Sequence, residues 1–482
     1  MSCLLKSTAL VGAVLLTGMA LAGQAQSASA SAPAGGVPQQ SVQPQPLGPK
    51  PGGSKVWKQA YFYVSLGGND GNSGTITAPF ATIGRCQAAM ETSSAIKTCY
   101  IRAGVYNFWG SGSGCNISRS VFRLTQADTG TTYSYYPPDG YGSAVLDGGS
   151  ASATTGSAGG FCISGAGNVT INGLTIRNYQ TTGVTVFGNN YDGDDPNALI
   201  ENNIIYNIYN GSAIQLAGYD QGSQVLHNYV ANTTKHGIYA GTTQNASQGG
   251  LGNVVISGNV VMNTCAAFSD CGGIYIQDYQ LPASTNITIQ GNYVYQVFAG
   301  APNVGGVGLY LDDGTSNVTA TGNVIVAAAN NLWTCFLLHG GSNNLVQGNL
   351  CDLGSAGGSP AILWYQMTSA GNATQFPMIQ NVFRSNIVVC RATSRCGIGY
   401  FGADGPPNPE TNTDNTYYNY GSGGAVTTTG LGGANGDANP VYANPNIQCW
   451  AVAIPGQPTP SYGPPGFVFT KSGPPPSWPH DC

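Results

Sequence analysis

"GLYLDDGTSNVTATGN", residues 308–323, carries two signals that recur along the chain. Its first half alternates Leu309 and Leu311 with Tyr310 and Asp312, the period of two that a β-strand requires, and then sets Asp312 and Asp313 side by side before a glycine. Its second half runs through small β-formers to Asn323, which acts as punctuation. Relatives of the second half are "NVTINGLTI", "ALIENNIIYN", "SQVLHNYVAN", "NVVISGNVVMN", "NITIQGNYVYQ", "NNLVQGNLCD" and "NVFRSNIVVC", spread along residues 168–390. Their punctuating positions are Gly173, Asn203, Asn228, Asn259, Asn292, Asn323, Asn349 and Asn386, at intervals of 25 to 37 residues. About half a coil later come relatives of the first half: "GVTVFG", "AIQLAG", "GIYAG", "GIYIQD", "FLLHGG", "AILWYQ" and "GIGYFG". A constant strand pattern with loops of variable length is the signature of a solenoid. The fold expected is all-β, a parallel β-helix whose strands stack about 4.8 Å apart. Asn259, Asn292 and Asn323 are expected in one buried column, because a stacked amide can bond both to backbone and to the next amide.

Other architectures fit less well. A sandwich or propeller needs hairpin turns and another period, and the helical periodicity of a βαβ fold is absent. The chain has 482 residues, 71 glycines, 7% charged residues and a net charge of −5, which excludes a nucleic-acid binder or a basic membrane-surface protein. Residues 1–25 read as a signal peptide, with one lysine, a short apolar run and small residues at Ala20 and Ala22; a membrane anchor is the competing reading. No other stretch is apolar enough to span a bilayer. Residues 26–57 are rich in Ser, Ala, Pro and Gln and read as a flexible linker. Thirteen cysteines occur, Cys3 in the leader, and the other twelve fall into near neighbours: 86 and 99, 115 and 162, 265 and 271, 335 and 351, 390 and 396, 449 and 482. An even count in an exported protein favours disulfides. The repeat is expected to span residues 58–402, and residues 403–482, rich in Gly, Pro and Asn, to fold back irregularly on it.

The upstream stretch "YFYVSLGGNDGNSGTITAPFATIGRCQAAM", followed by "CYIRAGVY" at 99–106, adds a resemblance. It resembles the opening of secreted right-handed β-helix carbohydrate enzymes of the pectate-lyase-like superfamily: Tyr-Val-Ser, a Gly/Asn/Asp turn, Pro-Phe-x-Thr-Ile, a short helix, then a strand ending Gly-x-Tyr. The likeness covers roughly residues 58–400 and implies a right-handed coil, with a helix near 82–92 capping its open end.

Chemistry is expected where outward residues of successive coils stack. With Ile274, Ile276, Leu309, Leu311, Phe336, Leu338, Ile362 and Trp364 facing inward, one outward column reads Tyr239, Tyr275, Tyr310, Leu337, Leu363. The next reads Gly241, Gln277, Asp312, His339, Tyr365, with Asp278 and Asp313 following. Asp278, Asp312, Asp313 and His339 are thus the candidate catalytic residues. Carboxylates about 5 Å apart suit a retaining glycosidase, since one pKa rises and leaves one acid and one carboxylate. Tyr239, Tyr275, Tyr310, Gln277, Tyr365 and Lys235 are the candidate substrate contacts, the rings for sugar stacking. His227 beside Asn228 reads as structural, and the acidic loop at 191–197 as solvated.

These residues point to an exported glycoside hydrolase, a monomer that needs no cofactor and acts on a neutral or weakly charged poly- or oligosaccharide. A calcium-dependent pectate-type lyase is the alternative, with Asp278, Asp312 and Asp313 as metal ligands and Lys235 as base. Charge opposes it: residues 160–402 hold Arg177, Lys235, Arg384, Arg391 and Arg395 against ten acids, a poor match for a polyanion. A non-catalytic carbohydrate-binding solenoid is the third reading.

Overall fold

The computed structural model describes residues 59–107, 120–149, 159–188, 196–242, 250–278, 284–298, 306–326, 332–354, 361–365, 376–390, 397–401, 411–420, 436–445, 448–454 and 457–463. Among them, strands gather into three parallel sheets of 12, 11 and 10 strands, and each coil gives one strand to each. In one coil these are Ile287–Gln290, Tyr293–Val297 and Gly306–Asp312, for the first, second and third sheets in chain order.

Like stacks on like along the solenoid. Ile256, Ile289, Ala320 and Val346 are in register in the first sheet. Val261, Val294, Ile325 and Cys351 align in the second. Ile276, Leu311, Leu338 and Trp364 align in the third. All are buried and line one continuous core. Burying these inward columns is the main driving force for the coil, because each strand leaves its apolar face unpaired until the next coil covers it.

The corner between the first two sheets explains the Asn punctuation. Asn292 donates from both its backbone N and its Nδ2 to Asn323 Oδ1, at 3.0 and 2.9 Å, and from Nδ2 to the Ile256 carbonyl at 2.9 Å. The same pattern links Asn203, Asn228, Asn259, Asn292, Asn323, Asn349, Asn386 and Asn415. The ladder ends on Asp437, whose Oδ2 accepts from Asn415 Nδ2 at 2.7 Å. Asn259, Asn292 and Asn323 lie in one buried column, as the repeat predicts.

Gly173 does not belong to this ladder. Leu174 takes the ladder position, its backbone N–H donating to Asn203 Oδ1 at 3.0 Å. Gly173 instead starts a neighbouring column of left-handed residues, with φ of 68°, continued by Asn202, His227, Gly258, Gly291, Gly322, Gly348, Ser385 and Asp414. Each corner uses two adjacent special residues, and the glycine is the first of them. His227 sits in that column with φ of 56°, a turn residue of the coil.

The helix Ile83–Thr92 begins at Thr82, whose side chain accepts from Arg85 N. It turns Ile83, Cys86, Ala89 and Met90 onto the first coil, and Cys86–Cys99 ties it there. Cys265–Cys271 and Cys335–Cys351 are also bridged. Cys162 and Cys390 are disulfide-bonded; Cys115, Cys396 and Cys482, expected in three of the pairs, lie outside the described residues.

Stacking does not stop at residue 402. Thr411–Thr413 pairs with Val382–Arg384, and Thr416–Asn419 with Ile387–Cys390, so the coil continues where the sequence pattern fades. The segment expected to be irregular also holds an antiparallel pair, Gln448–Ile454 with Gln457–Gly463. The proposed leader, the linker and residues 191–195 of the acidic loop lie outside the described residues. Among the described residues no helix is long and apolar enough to cross a membrane.

Candidate active site

The candidate site stands on the outward face of the third sheet, on strands Ile238–Thr242, Gly272–Asp278, Gly306–Asp312, Leu332–His339 and Ile362–Tyr365. Tyr239, Tyr275, Tyr310, Leu337 and Leu363 are successive register partners. Gly241, Gln277 and Asp312 form the next column, and His339 pairs with Tyr365. The inward partners fix this parity, because a slip of one residue would turn Ile276, Leu311 and Leu338 into solvent.

Asp312 is the centre of the cluster and is only 3% exposed. Its Oδ2 accepts a hydrogen bond from the Tyr275 hydroxyl. Its Oδ1 lies 2.7 Å from His339 Nδ1 and accepts from the Asp313 backbone N–H at 2.8 Å. With a carboxylate as partner, His339 Nδ1 is the protonated ring nitrogen and Nε2 is left for other work. The His339 ring stacks on Tyr365 with centroids 4.3 Å apart.

Asp313 would face inward if the strand ran on. Its backbone turns left-handed instead, with φ of 46°, and the Gly314 N–H fixes that turn by donating to the His339 carbonyl at 2.8 Å. The side chain thereby joins the outward group. Its Oδ2 accepts from Gln277 Nε2 at 2.5 Å, and its Oδ1 lies 3.8 Å from His339 Nδ1. Burial pushes the Asp313 carboxyl above the usual carboxylate range, and the neighbouring Asp312 charge pushes it further, against the pull of Gln277 and His339. The Asp313 carboxyl, raised in proton affinity, therefore sits beside that of Asp312.

Other expected residues are placed differently. Asp278 has the same strand parity as Ile274 and Ile276, and with no left-handed turn to rescue it the side chain is buried. Its carboxylate accepts from the Ser284 backbone N–H and hydroxyl, which ties down the start of the next coil. Lys235 holds its ammonium 4.4 Å from the centroid of the Phe268 ring. Tyr275 and Tyr310 are buried at 3% and 6% exposure and offer no free face for a sugar; the Tyr275 hydroxyl donates to Asp312 instead. Tyr239 is part-exposed and donates to Gln277 Oε1 at 3.0 Å; burial, then the nearby carboxylates, push its hydroxyl up to about 12.

Two residues of the site escape the strand columns because they precede their strands. His236 lies against Tyr275 with ring centroids 4.2 Å apart, and its Nδ1 accepts from the Gly272 N–H. Burial, with Lys235 adding to it, pushes its pKa down to about 3, so the ring is neutral and Nε2 carries its proton. Asp270 sits inside the loop closed by Cys265–Cys271, and burial of its carboxyl, then the charges of Asp312 and Asp313, raise its proton affinity. Its charge in a chain so poor in charge, next to a cysteine of a short loop, is the signal that could have marked it.

Residues 159–351 match the family model described as right handed beta helix region. No curated protein matches the sequence. Among solved structures the chain is similar to GH136 lacto-N-biosidase from Eubacterium ramulus, with a TM-score of 0.51 and 13% identity, covering 80% of this chain and 67% of that one. It is also similar to the A-module of the Azotobacter vinelandii mannuronan C-5 epimerase AlgE4, at a TM-score of 0.48 and 15% identity over 75% and 95% of the two chains. Pectate lyase Pel9A follows at 0.47 and 14%, over 76% and 82%. At 13% identity the likeness to the lacto-N-biosidase shows the fold alone, the right-handed parallel β-helix that the family model and the three sheets also give. A shared fold does not fix a reaction, which has to be argued from the site.

Proposed function

We propose that the protein is an exported glycoside hydrolase acting on a neutral or weakly charged poly- or oligosaccharide. The observation that carries this reading is the gathering of Asp312, Asp313 and His339, whose ligand atoms all lie within 4.8 Å of one another, on the outer face of a sheet. Carboxyls gathered this closely leave less room than the roughly 6.5–9.5 Å by which inverting enzymes separate theirs for a water.

Asp313, part-exposed and holding its proton above the usual range, gives that proton to the glycosidic oxygen as the bond to the anomeric carbon breaks. Asp312, the anion held by Tyr275 and His339, stabilises the positive charge that develops on the sugar. Asp313, now a carboxylate, takes a proton from the incoming water and the cycle closes. His339 Nε2, Gln277 and the part-exposed Tyr239 and Tyr365 contact the sugar. Lys235, the cation nearest in sequence to this face, is engaged with Phe268, which favours a substrate without carboxylates. The disulfides fit an oxidising compartment outside the cytoplasm. The test is a panel of polysaccharides read for new reducing ends and for the ultraviolet absorbance of unsaturated sugars. Hydrolysis gives only the first signal; absorbance as well would replace this reading with elimination.

One observation favours a metal-dependent lyase: Asp312, Asp313 and His339 are close enough to share an ion. Their donor set suits calcium poorly. Calcium takes 6–8 oxygen ligands, one of these three atoms is a nitrogen, and Asp278, the further carboxylate expected, is bound to Ser284. Under the hydrolase reading a chelator leaves activity unchanged; loss restored by calcium would favour the lyase.

A further inference from the structure

Two branches of hydrogen bonds reach the paired carboxyls, and one imidazole stands behind both. The Tyr275 hydroxyl donates to Asp312 Oδ2. The Tyr239 hydroxyl donates to Gln277 Oε1 at 3.0 Å, which fixes the amide so that its Nε2 donates to Asp313 Oδ2 at 2.5 Å. The His236 ring lies against both phenols, its centroid 4.2 Å from that of Tyr275 and 5.4 Å from that of Tyr239. His236 is itself held from two directions. The Gly272 N–H donates to its Nδ1 at 3.2 Å, and Gly272 follows Cys271 in the chain. At the other end of the loop closed by Cys265–Cys271, the Cys265 N–H donates to the Lys235 carbonyl at 2.9 Å and the Ala267 N–H to the Thr234 carbonyl at 3.1 Å. Both ends of one disulfide-closed loop grip the segment that carries the imidazole.

We infer that His236 is a positioning residue: braced by the disulfide-closed loop, its ring holds the Tyr275 hydroxyl on Asp312 and the Tyr239 hydroxyl on Gln277, and so sets both carboxyls. A phenol swings about two side-chain bonds, and a hydrogen bond weakens steeply once its donor is misaligned. Packing against a tethered ring removes that freedom before a substrate arrives, so the cost of ordering the donors is met in the fold. Because Nδ1 accepts from Gly272, the ring carries its proton on Nε2 and stays uncharged between the two tyrosines. His236 touches no reacting atom in this role; it acts through Tyr275 on one branch and through Tyr239 and Gln277 on the other.

For its effect on turnover the inference rests on the hydrolase reading; the positions of the two hydroxyls do not, and the test separates them. In full-length oxidised protein, His236→Asn keeps an acceptor for the Gly272 N–H and removes the ring. Its crystal structure is expected to show the Tyr275 hydroxyl away from Asp312 and the Tyr239 hydroxyl away from Gln277. On a saccharide that yields new reducing ends, kcat per folded molecule is expected to fall about tenfold with KM unchanged, the size of one hydrogen bond to a charged group. His236→Phe, which returns a ring to the gap, is expected to recover part of that loss. Nitrogen-15 spectra of the wild type need no variant: His236 is expected with a bare Nδ1, coupled to the Gly272 amide across their hydrogen bond, and a protonated Nε2 at neutral pH. Hydroxyls unmoved in His236→Asn, a kcat equal to wild type, or a His236 protonated at Nδ1 would overturn the proposal. Displaced hydroxyls in a chain that hydrolyses no saccharide uphold the positioning role and remove the hydrolase.

Discussion

Two stacks of buried polar groups run through this coil, and they are built on opposite accounts. In the corner ladder every amide of Asn228 through Asn386 both gives and receives: its backbone N and Nδ2 donate to the next Asn, and its Oδ1 takes the same pair from the one before. Donors equal acceptors, no member is charged, and the unit repeats. At the third sheet Asp312 and Asp313 crowd together, and burial, then the neighbouring Asp312 charge, displaces the proton affinity of Asp313. A satisfied polar stack stabilises a fold. A frustrated one stores unequal proton affinities, which acid–base chemistry needs. The comparison suggests searching a solenoid for function where its polar columns stop balancing.

The largest effect that would sharpen this contrast is expected at Asp312. Asp312→Asn removes the charge while keeping the shape, and kcat should fall about 10³-fold, the loss typical when a preorganised electrostatic group is removed. Thermal unfolding should move little by comparison. An Asp312→Asn protein that melts far below wild type would make Asp312 part of the scaffold and break the contrast.

The converse holds in the ladder. Asn292→Ala strands the Asn259 backbone and side-chain donors and the Ile256 carbonyl, at a cost on the order of 3 kcal/mol. Turnover per folded molecule should be unchanged. Denaturant unfolding measures the first and active-site titration the second; equal stability of variant and wild type would show that the ladder is not what holds the corner.

Much of this was legible in the sequence, and what was missed has a common cause. Alternation fixed which residues face inward, so the columns through Tyr275 and through Gln277 could be placed before any coordinates. The same alternation puts Asp278 inside, beside Ile276, and only the chemistry of its charge argued for placing it outside. Asp313 escapes that parity through a left-handed turn that the strand period does not encode. Gly173 was one residue out of step because glycine and asparagine occupy adjacent positions of each corner, and here Leu174 stands where the Asn belongs. Asp270 and His236 lie before their strands, where loop closure rather than period sets the side chain. Periodic physics can be read from sequence; the aperiodic part carries much of the site.

The smallest expected effect is on stability against pH. Asp313 and Asp270 have folded proton affinities above the ordinary value of 3.8, so the folded state keeps protons that the unfolded state gives up. Their contribution is present below 3.8 and is lost as pH rises from there through their folded values. His236 acts in the opposite sense: lowered from 6.5 to about 3, it costs stability as pH falls through that interval, because the unfolded chain takes up the proton that the folded chain refuses. Melting curves of wild type and Asp313→Asn should therefore diverge as pH rises above 3.8, to the advantage of the variant. The difference between wild type and Asn292→Ala should stay level with pH, since no ladder amide titrates. A ladder difference that follows pH, or an Asp313 difference that does not, would erase the distinction between the two stacks.

The most direct measurement is the pH–rate profile of Asp313→Asn beside wild type, on whichever saccharide of the panel yields new reducing ends. The account predicts that wild-type activity falls as pH rises through the elevated proton affinity of Asp313. It predicts that the variant is slower by about 10²–10⁴-fold at the optimum, the usual contribution of a general acid, and lacks that limb while melting as wild type does. A variant that keeps near-normal turnover and the same profile would contradict it, and Asp312-Asp313 would then be a turn at the end of a strand.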